Sequence, residues 1–395
     1  MVDGETGYDL IFFQIRLTTR ENRSLSIISM LFFELLQVAI GNLDKMSANP
    51  TEKEWYELYS IAQKQTLLGI SFLGIERLPK EQRPPKTLLM QWFSIANHIK
   101  EMNEEQDKKS LAVANRFLKD GFKSVILKGQ GIAQLYPDGK YRTPGDIDIW
   151  LDGTRESIYN YVKTFEPQTR AVYHNIAAPS IKGTEIEVHS TPSWMNSYCT
   201  NINLQRFFQQ YATETFNNNE YLAVSDDGML YYRKFPVPTL TFNRVFILVH
   251  IYRHLFGEGI GLRQLLDYYY VLNQGFTEEE RRETLQVLAS LKMLRFASAV
   301  MYVLQTVFGM DEKYLLLPPD IKEGRFLLNE IMIAGNFGHH DERIKRIANE
   351  RALHVFLRRS IRNLRFIRSY PSEVLWTPFF KIWHYFMRMK WNCSK

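Results

Sequence analysis

The chain has 395 residues, of which 45% are hydrophobic and 23% are charged, so its composition excludes a disordered protein and predicts more than one packed unit. Its two cysteines, Cys199 and Cys393, lie far apart, which excludes a disulfide framework and a cysteine zinc site and predicts a reducing, cytoplasmic location. The net charge of +6 is uneven, because residues 341–395 hold 13 Lys and Arg against 4 Asp and Glu, and the rest sum to −3.

Apolar residues recur at intervals of three and four through most of the first 120 residues, which predicts amphipathic helices. Pro84 and Pro85 mark the start of the clearest helix, and Gly121 ends it. The first 25 or so residues fit no element, and their short apolar run is typical of neither a signal peptide nor a membrane span. We therefore predict an N-terminal helical region over residues 1–120, without a transmembrane segment. The predicted helices cover about residues 29–41, 52–75 and 86–120.

Short β-type runs replace the helical rhythm after Gly121. A turn-rich stretch with Pro236 and Pro238 marks where this region ends. Residues 121–235 are therefore predicted to form a small α+β unit with about four strands. The predicted strands cover 124–128, 146–151, 169–178 and 184–190, with short helices at 130–136 and 154–164.

The helical rhythm returns at Leu240 and continues to the end, which predicts a C-terminal helical domain over residues 236–395. The predicted fold class is thus α+β, with a small mixed-sheet core between N-terminal helices and this C-terminal domain. The predicted helices cover about 240–256, 260–274, 278–290, 291–308, 321–335, 343–367 and 375–390.

Two acids alternate with isoleucines in the predicted strand at 146–151. Side chains two positions apart share one face of a strand, so Asp146 and Asp148 project together while Ile147 and Ile149 face a core. Two such carboxylates repel each other unless a cation lies between them, and Mg²⁺ prefers carboxylate, water and phosphate oxygens. The pattern predicts a magnesium site, with an acidic solvent-facing strand as the alternative.

A glycine turn precedes this strand and a third acid follows it. Gly129 and Gly131 flank Gln130 between a strand and a short helix, an arrangement that directs backbone N–H groups at an anion. Glu187 lies between two apolar β-branched residues in the strand at 184–190. Glu185 shares its face but lies at the strand's entry, so Glu187 is the preferred third ligand.

These elements, in this order, resemble the polymerase-β-type nucleotidyltransferase superfamily. More narrowly, they resemble a bacterial family of largely uncharacterised nucleotidyltransferases over about residues 55–275. The resemblance implies transfer of a nucleoside monophosphate from an NTP, with two Mg²⁺ ions held by Asp146, Asp148 and Glu187. The matching segments are "LKG" at 127–129, "LYPD" at 135–138, Arg142, "GDIDIWL" at 145–151 and "EVH" at 187–189.

The resemblance further implies that Lys128, Gly129, Gln130 and Arg142 bind the triphosphate. The chain departs from the superfamily in its turn, because Gln130 takes the place where Ser or Gly is usual and removes a hydroxyl contact to phosphate. The acceptor stays open between a small molecule, a protein and RNA. A non-catalytic nucleotide-binding or partner-binding protein and a tRNA-directed nucleotidyltransferase toxin are the alternatives.

Some further residues carry weaker patterns. His250 and His254 have the spacing of a helical zinc pair, but no third ligand is suggested nearby, which favours core or cleft-lining residues. Arg253 and Arg263 are candidates to face the nucleotide, and Arg263 could instead pair with Asp267 one helical turn away. His189 could orient the acceptor or a metal-bound water, although a structural role is favoured.

The C-terminal stretch "SEVLWTPFFKIWHYFMRMKW" interleaves aromatic with basic residues. This pattern is typical of a helix on a membrane surface, and equally of a packed helix whose basic residues lie at its edge. The basic C-terminal helices are therefore compatible with a nucleic acid or a membrane surface as partner.

Overall fold

Helices enclose a small mixed sheet in this α+β protein, as the sequence predicts. The structure is a computed structural model, and it describes residues 20–217, 221–224, 228–343 and 352–393. Most of the N-terminal segment without a predicted element, and part of the helix predicted at 343–367, lie outside these ranges.

The N-terminal region forms four successive helices over its described residues. Thr51 and Glu54 form a reciprocal capping box at the start of the second helix. The single helix predicted at 52–75 is wrong, because Thr66 adopts a φ of +57° between the second and third helices and interrupts the hydrogen-bond ladder. The bounds are α1 (Arg20–Ile40), α2 (Glu52–Lys64), α3 (Leu68–Arg77) and α4 (Lys86–Lys119).

The central region contains a four-stranded sheet with the order β1-β2-β4-β3. The strands β2 and β4 are parallel, and the other two pairs are antiparallel. The first half of the strand predicted at 169–178 is wrong, since β3 begins at Asn175. The bounds are β1 (Ser124–Leu127), α5 (Gly129–Ala133), β2 (Ile147–Leu151), α6 (Arg155–Phe165), β3 (Asn175–Ile181) and β4 (Thr184–His189).

A helix and a short hairpin follow the sheet and were not predicted from the sequence. The helix α7 (Tyr198–Phe216) buries Leu204, Phe207 and Phe208. The antiparallel pair β5 (Leu222–Val224) and β6 (Leu230–Tyr232) lies in the stretch that was expected to contain only turns.

The C-terminal region is helical in its described residues, and its first helix is buried on nearly all sides. That helix begins after Thr239, whose hydroxyl accepts a hydrogen bond from the backbone N–H of Phe242. The bounds are α8 (Leu240–Gly257), α9 (Leu262–Asn273), α10 (Glu278–Ser290), α11 (Leu294–Phe308), α12 (Ile321–Ala334), α13 (Ala352–Asn363) and α14 (Pro371–Cys393).

The two faces of the sheet belong to different hydrophobic cores. Ile147, Ile149 and Val188 pack on one face with α6 and the end of α4, whereas Leu127 and Trp150 join the helical core on the other face. The helical core includes both N-terminal and C-terminal helices. The division into regions 1–120, 121–235 and 236–395 stays a prediction.

Hydrogen bonds tie the first helix to the C-terminal region. The Gln37 side-chain amide donates to the carbonyl oxygen of Val307 over 3.2 Å, and Asn42 donates to that of Phe308 over 2.6 Å. None of the helices within the described ranges is long and apolar enough to cross a membrane.

Candidate active site

The side chains of Asp146 and Asp148 project from one side of strand β2, where the alternation of the sequence places them. Ile147 and Ile149 are buried on the opposite face, which fixes the direction of the carboxylates. Asp146 lies just before the strand and its side chain is 40% exposed, whereas the side chain of Asp148 is only 1% exposed. One carboxylate is therefore open to solvent and its neighbour is buried.

Strand pairing brings Glu187 to the same place. Because β2 and β4 are parallel, the register sets Asp148 opposite Glu187, whose side chain is 35% exposed. Asp146, Asp148 and Glu187 each offer a carboxylate oxygen, and these three atoms lie within 4.8 Å of one another. The structure thus brings the three predicted acids together, and Glu185 is exposed and lies outside this group.

The ammonium of Lys128 contacts both aspartates. Its Nζ atom lies 2.7 Å from Asp148 Oδ2 and 3.4 Å from Asp146 Oδ2. Lys128 is the residue between β1 and α5, and its φ of +40° is strained for a side chain with a Cβ. This backbone conformation accompanies a lysine that supplies positive charge directly to the acidic group.

Burial and ion pairing have opposite effects on the pKa values of this group. Burial alone would raise the pKa of Asp148, but Lys128 and His189 outweigh it and lower that pKa to about 2. Burial would lower the pKa of Lys128, but Asp148 and Asp146 keep it above its ordinary value. At Glu187, burial and the neighbouring Asp148 raise the pKa, so this carboxylate is the stronger base.

Two histidines adjoin the carboxylates on the β3–β4 side. His189 Nε2 lies 2.8 Å from Asp148 Oδ1, and its ring is 5.1 Å from that of His174. The Nδ1 atoms of both rings are buried without a hydrogen-bond partner. His174, Glu187 and His189 also have ligand atoms within 4.8 Å of one another. Glu187 thus belongs both to the group of three acids and to this second, mixed group of one acid and two histidines.

The glycine turn lies directly beside the acids, but the Gln130 side chain points elsewhere. Its amide nitrogen donates to Asp107 Oδ1 on α4 over 2.6 Å, and the residue is 3% exposed. A Cβ on Gly131 would lie 2.6 Å from the carbonyl oxygen of Ile126, so glycine permits the close approach of α5 to β1. Phosphate contacts from the backbone of Gly129 and Gln130 stay a prediction.

Arg142 is held by the helical region. Its Nε and Nη2 atoms donate to the two carboxylate oxygens of Asp267 on α9 over 2.7 and 2.8 Å, and the pair is buried. The Tyr136 hydroxyl donates to the same carboxylate over 2.7 Å. The predicted pair between Arg263 and Asp267 is wrong, since Arg263 donates to the carbonyl oxygen of Thr143. A phosphate contact by Arg142 stays a prediction, beside this structural pairing.

Helix α8 adds positive and polar groups that the sequence suggested only weakly. Arg253 lies over the Trp194 ring and donates to Ser193 Oγ over 3.3 Å. Burial lowers its pKa to about 9, against the attraction of nearby acids that include Glu187 and Asp148. Burial and Arg253 lower the pKa of His254 as well, which favours a neutral imidazole. The apolar spacing in the sequence predicts that these residues lie on a helix, but it does not predict that the helix packs beside the sheet.

The donor set fits a hard divalent cation. Three carboxylates converge from two neighbouring strands. Among the described residues, only Lys128 and His189 form ion pairs with Asp146 or Asp148, so little positive charge balances these acids. Oxygen ligands of this kind suit Mg²⁺ or Mn²⁺. The group could hold such an ion, as the sequence predicts.

Comparison with known proteins assigns the family. The model of a family described as "Uncharacterised nucleotidyltransferase" matches residues 51–309, which include all three acids. The chain belongs to this family. The resemblance predicted from the sequence is thereby confirmed, and the family match extends beyond the predicted residues into α11. No curated protein matches the chain.

Two solved structures share weak similarity with this nucleotidyltransferase family member. An antigenic nucleotidyltransferase-like protein from Paracoccidioides brasiliensis has 13% identity and a TM-score of 0.30, over 52% of this chain and 98% of that chain. A CCA-adding enzyme from Thermotoga maritima, complexed with tRNA, has 10% identity and a TM-score of 0.18, over 72% and 77%. The family assignment therefore depends on the sequence match.

Proposed function

We propose that the chain is a Mg²⁺-dependent nucleotidyltransferase that moves a nucleoside monophosphate from an NTP to a hydroxyl or phosphate group of an acceptor. The observation that supports this most directly is the convergence of Asp146, Asp148 and Glu187 from two parallel-paired strands. Membership of a nucleotidyltransferase family supports the same chemistry. The scarcity of cysteine is consistent with a cytoplasmic location, which stays part of the proposal.

Three carboxylates would hold two Mg²⁺ ions, with Asp146 and Asp148 in contact with the NTP side and Glu187 completing the second site. Bound magnesium would neutralise charge on the triphosphate and stabilise the charge that develops on the α-phosphate and the departing pyrophosphate. The mixed group of His174, Glu187 and His189 would offer imidazole nitrogens, which suit a transition metal such as Zn²⁺ or Fe²⁺ better than Mg²⁺.

Lys128 has two states in this proposal. Without a cation its ammonium neutralises Asp148 and Asp146, and this pairing keeps two close carboxylates compatible with a folded strand. Once cations take over that role, the ammonium would be available for the oxygens of the triphosphate. Lys128 would then act as a mobile point charge, whereas Arg142 stays fixed by Asp267.

The transfer step would proceed by attack of an acceptor oxygen on the α-phosphorus. The new P–O bond forms while the bond from the α-phosphorus to the oxygen bridging to the β-phosphate breaks, and pyrophosphate leaves. Glu187 would help to activate the acceptor hydroxyl, because its carboxylate lies beside Asp148 in the group of three acids. Arg253 on α8 is attracted by Glu187 and Asp148 and would add positive charge near these acids.

A non-catalytic nucleotide-binding protein is the second candidate, and the Gln130 side chain favours it. The residue in the middle of the glycine turn bonds to Asp107 and offers no small hydroxyl to a phosphate. The acceptor, whether small molecule, protein or RNA, would then be a bound partner and not a substrate. Both candidates require a nucleotide at the three acids, so binding is the first test.

We expect the melting temperature to rise when an NTP and Mg²⁺ are added together, and not when either is added alone. A ligand at about 100 times its Kd stabilises the folded state by roughly 2.7 kcal/mol. Asp146→Asn should abolish the rise without loss of the fold, because this carboxylate is partly exposed. Asp152→Asn, an exposed aspartate just after the same strand, is the matched control.

Thermal unfolding would be followed for all four NTPs with Mg²⁺ and with Mn²⁺. An unchanged melting temperature under every one of these conditions would contradict both candidates. A rise that Asp146→Asn leaves intact would place the nucleotide elsewhere in the molecule.

A further inference from the structure

Helix α14 exposes a continuous apolar stripe to solvent. Its members share the three- and four-residue spacing that keeps side chains on one face of a helix. Phe379 and Phe386 are 66% and 63% exposed, which is unusual for phenylalanine. The stripe consists of Leu375, Phe379, Ile382, Phe386 and Met389, with Trp376 and Trp383 beside it.

The neighbouring helix carries a second stripe. Leu357, Ile361 and Leu364 recur at the same spacing in and just after α13, and Ile361 is 68% exposed. The two helices pack against each other, with Lys381 Nζ 5.2 Å from the Phe356 ring centroid. We refer to the α13 and α14 stripes together as the C-terminal apolar face.

The inner side of α14 is anchored to the two segments that flank the β3–β4 pair, one before β3 and one after β4. Glu373 Oε1 accepts a hydrogen bond from the backbone N–H of Asn196 over 2.8 Å, and the Asn196 side chain donates to Thr377 Oγ1 over 3.0 Å. His384 Nε2 accepts from the backbone N–H of Tyr173 over 3.2 Å. These polar contacts fix the rotation of the helix, so its apolar stripe faces outward.

Positive charge accompanies the exposed apolar side chains. Arg368 and Arg388 are exposed in this region, and residues 341–395 carry +9 whereas the rest of the chain sums to −3. A second copy of this face would be repelled by the like charge, and an RNA would leave the aliphatic stripe in water. An anionic lipid surface is complementary to both the charge and the apolar side chains.

We propose that the C-terminal apolar face docks on anionic lipid bilayers. The apolar side chains of α14 enter the headgroup and upper acyl region, with the helix parallel to the membrane plane, and the arginines contact lipid phosphates. Interfacial helices combine aromatic and aliphatic residues with flanking Arg and Lys in this way, and they need no membrane-spanning length. Docking here is independent of the nucleotide, since the face lies outside the group of three acids.

Sedimentation with vesicles tests this proposal on the full chain. We expect the protein to pellet with vesicles of mixed phosphatidylcholine and phosphatidylglycerol, and much less with phosphatidylcholine alone. Arg368→Gln and Arg388→Gln should each weaken binding to the anionic vesicles by about fivefold. The double variant Phe379→Asp with Phe386→Asp should abolish binding, because two charges would have to enter the apolar layer.

A matched control introduces the same charges on another exposed surface. Met90 and Met102 on α4 are 57% and 42% exposed, so Met90→Asp with Met102→Asp should bind vesicles like the unmodified protein. Equal melting temperatures of the two double variants would show that neither effect comes from unfolding. Quenching of Trp376 and Trp383 by brominated lipid, lost in the variant with both tryptophans changed to Phe, locates the inserted side chains.

Three results would overturn the proposal. The first is an unmodified protein that stays in the supernatant with anionic vesicles at low salt. The second is a stable dimer in solution that dissociates on Phe379→Asp with Phe386→Asp, since a second copy would then cover this face. The third is vesicle binding that RNA of equal charge abolishes, together with a Phe379→Asp, Phe386→Asp variant that still binds vesicles. This result would assign the face to nucleic acid instead.

Discussion

At the scale of single residues, Lys128 and Arg142 illustrate two uses of a buried cation. Lys128 neutralises Asp148 and Asp146, which the proposed reaction needs for metal ions, so its pairing must be exchangeable. Arg142 donates two hydrogen bonds to the carboxylate of Asp267. No proposed step requires Asp267 to be released, so this pairing can be permanent. In the proposed function, the charge of Lys128 would thus take part in nucleotide binding, whereas the charge of Arg142 is held by a buried ion pair.

Arg142→Gln should destabilise the protein by about 3 to 5 kcal/mol, because Asp267 would stay buried without its partner. Lys140→Gln removes a salt bridge to Glu104 of similar length, 2.8 Å, whose two side chains are more than half exposed. That change should leave the free energy of unfolding nearly unchanged, because both side chains of this pair are exposed to solvent. Urea denaturation of both variants measures the difference, and equal losses would contradict a structural role for the Arg142–Asp267 pair.

The acids of the candidate site could be predicted from the sequence, whereas their partners could not. The alternation of Asp146 and Asp148 with isoleucines is a local property, and so is the position of Glu187 between apolar neighbours. The pair of Arg142 with Asp267 spans 125 positions, and no local pattern selects it over the nearer Arg263. Long-range pairings depend on how elements pack, which periodicity does not encode.

At the scale of elements, the parallel pairing of β2 with β4 creates the site. Its register places Asp148 opposite Glu187, and a shift by one residue would turn Glu187 to the opposite face. Buried Ile186 and Val188 hold that register, because they belong to the core under the sheet. The hydrophobic face of the sheet therefore determines the position of the carboxylates on the other face.

Helix α14 should give the protein a pH-dependent stability through Glu373. Burial raises the pKa of this carboxyl from 4.5 to about 7, against the hydrogen bonds of Asn196 and Ser197 and the charge of Arg253. The folded state therefore binds more protons than the unfolded state between these values. Stability should fall as pH rises from about 4.5 to about 7, by on the order of 3 kcal/mol, and level off above.

Glu373→Gln keeps an oxygen acceptor and removes the titration, so its unfolding free energy should lack this decline. Glu312→Gln, at an exposed position, should keep the decline of the unmodified protein. Urea unfolding at several pH values between about 4.5 and 8 measures all three proteins. Parallel curves for the unmodified protein and Glu373→Gln would contradict a raised pKa of this buried carboxyl on α14.

Elements with strong end signals could be predicted from the sequence, and those without them could not. Helix α10 starts at a Thr277–Glu280 capping box and covers the predicted residues. Helix α7 was missed because Thr and Asn, which are poor helix formers, interrupt its apolar rhythm, and packing of Phe207 and Phe208 on the helical core stabilises it. The break between α2 and α3 depends on the positive φ of Thr66, and no glycine at this position indicates it in the sequence.

At the scale of the whole molecule, the helices before and after the sheet form one core that covers the face carrying the acids. Arg253 approaches the acids from α8, and α14 contacts the segments before β3 and after β4. Residues far apart in sequence thus surround Asp148 and Glu187. The predicted division into three regions follows the patterns in the sequence. In the structure, the N-terminal and C-terminal helices pack together in one hydrophobic core.

The central claim is transfer of a nucleotide at Asp146, Asp148 and Glu187, and the most direct measurement is incorporation of label from α-³²P NTPs. The protein would be incubated with Mg²⁺ and with separated metabolite, protein and RNA fractions of its host. We predict labelled product in one fraction together with pyrophosphate release, both lost in Asp146→Asn and in Glu187→Gln and kept in Asp152→Asn. Absence of labelled product in every fraction, while NTP and Mg²⁺ still raise the melting temperature, would contradict catalysis and leave a nucleotide-binding protein.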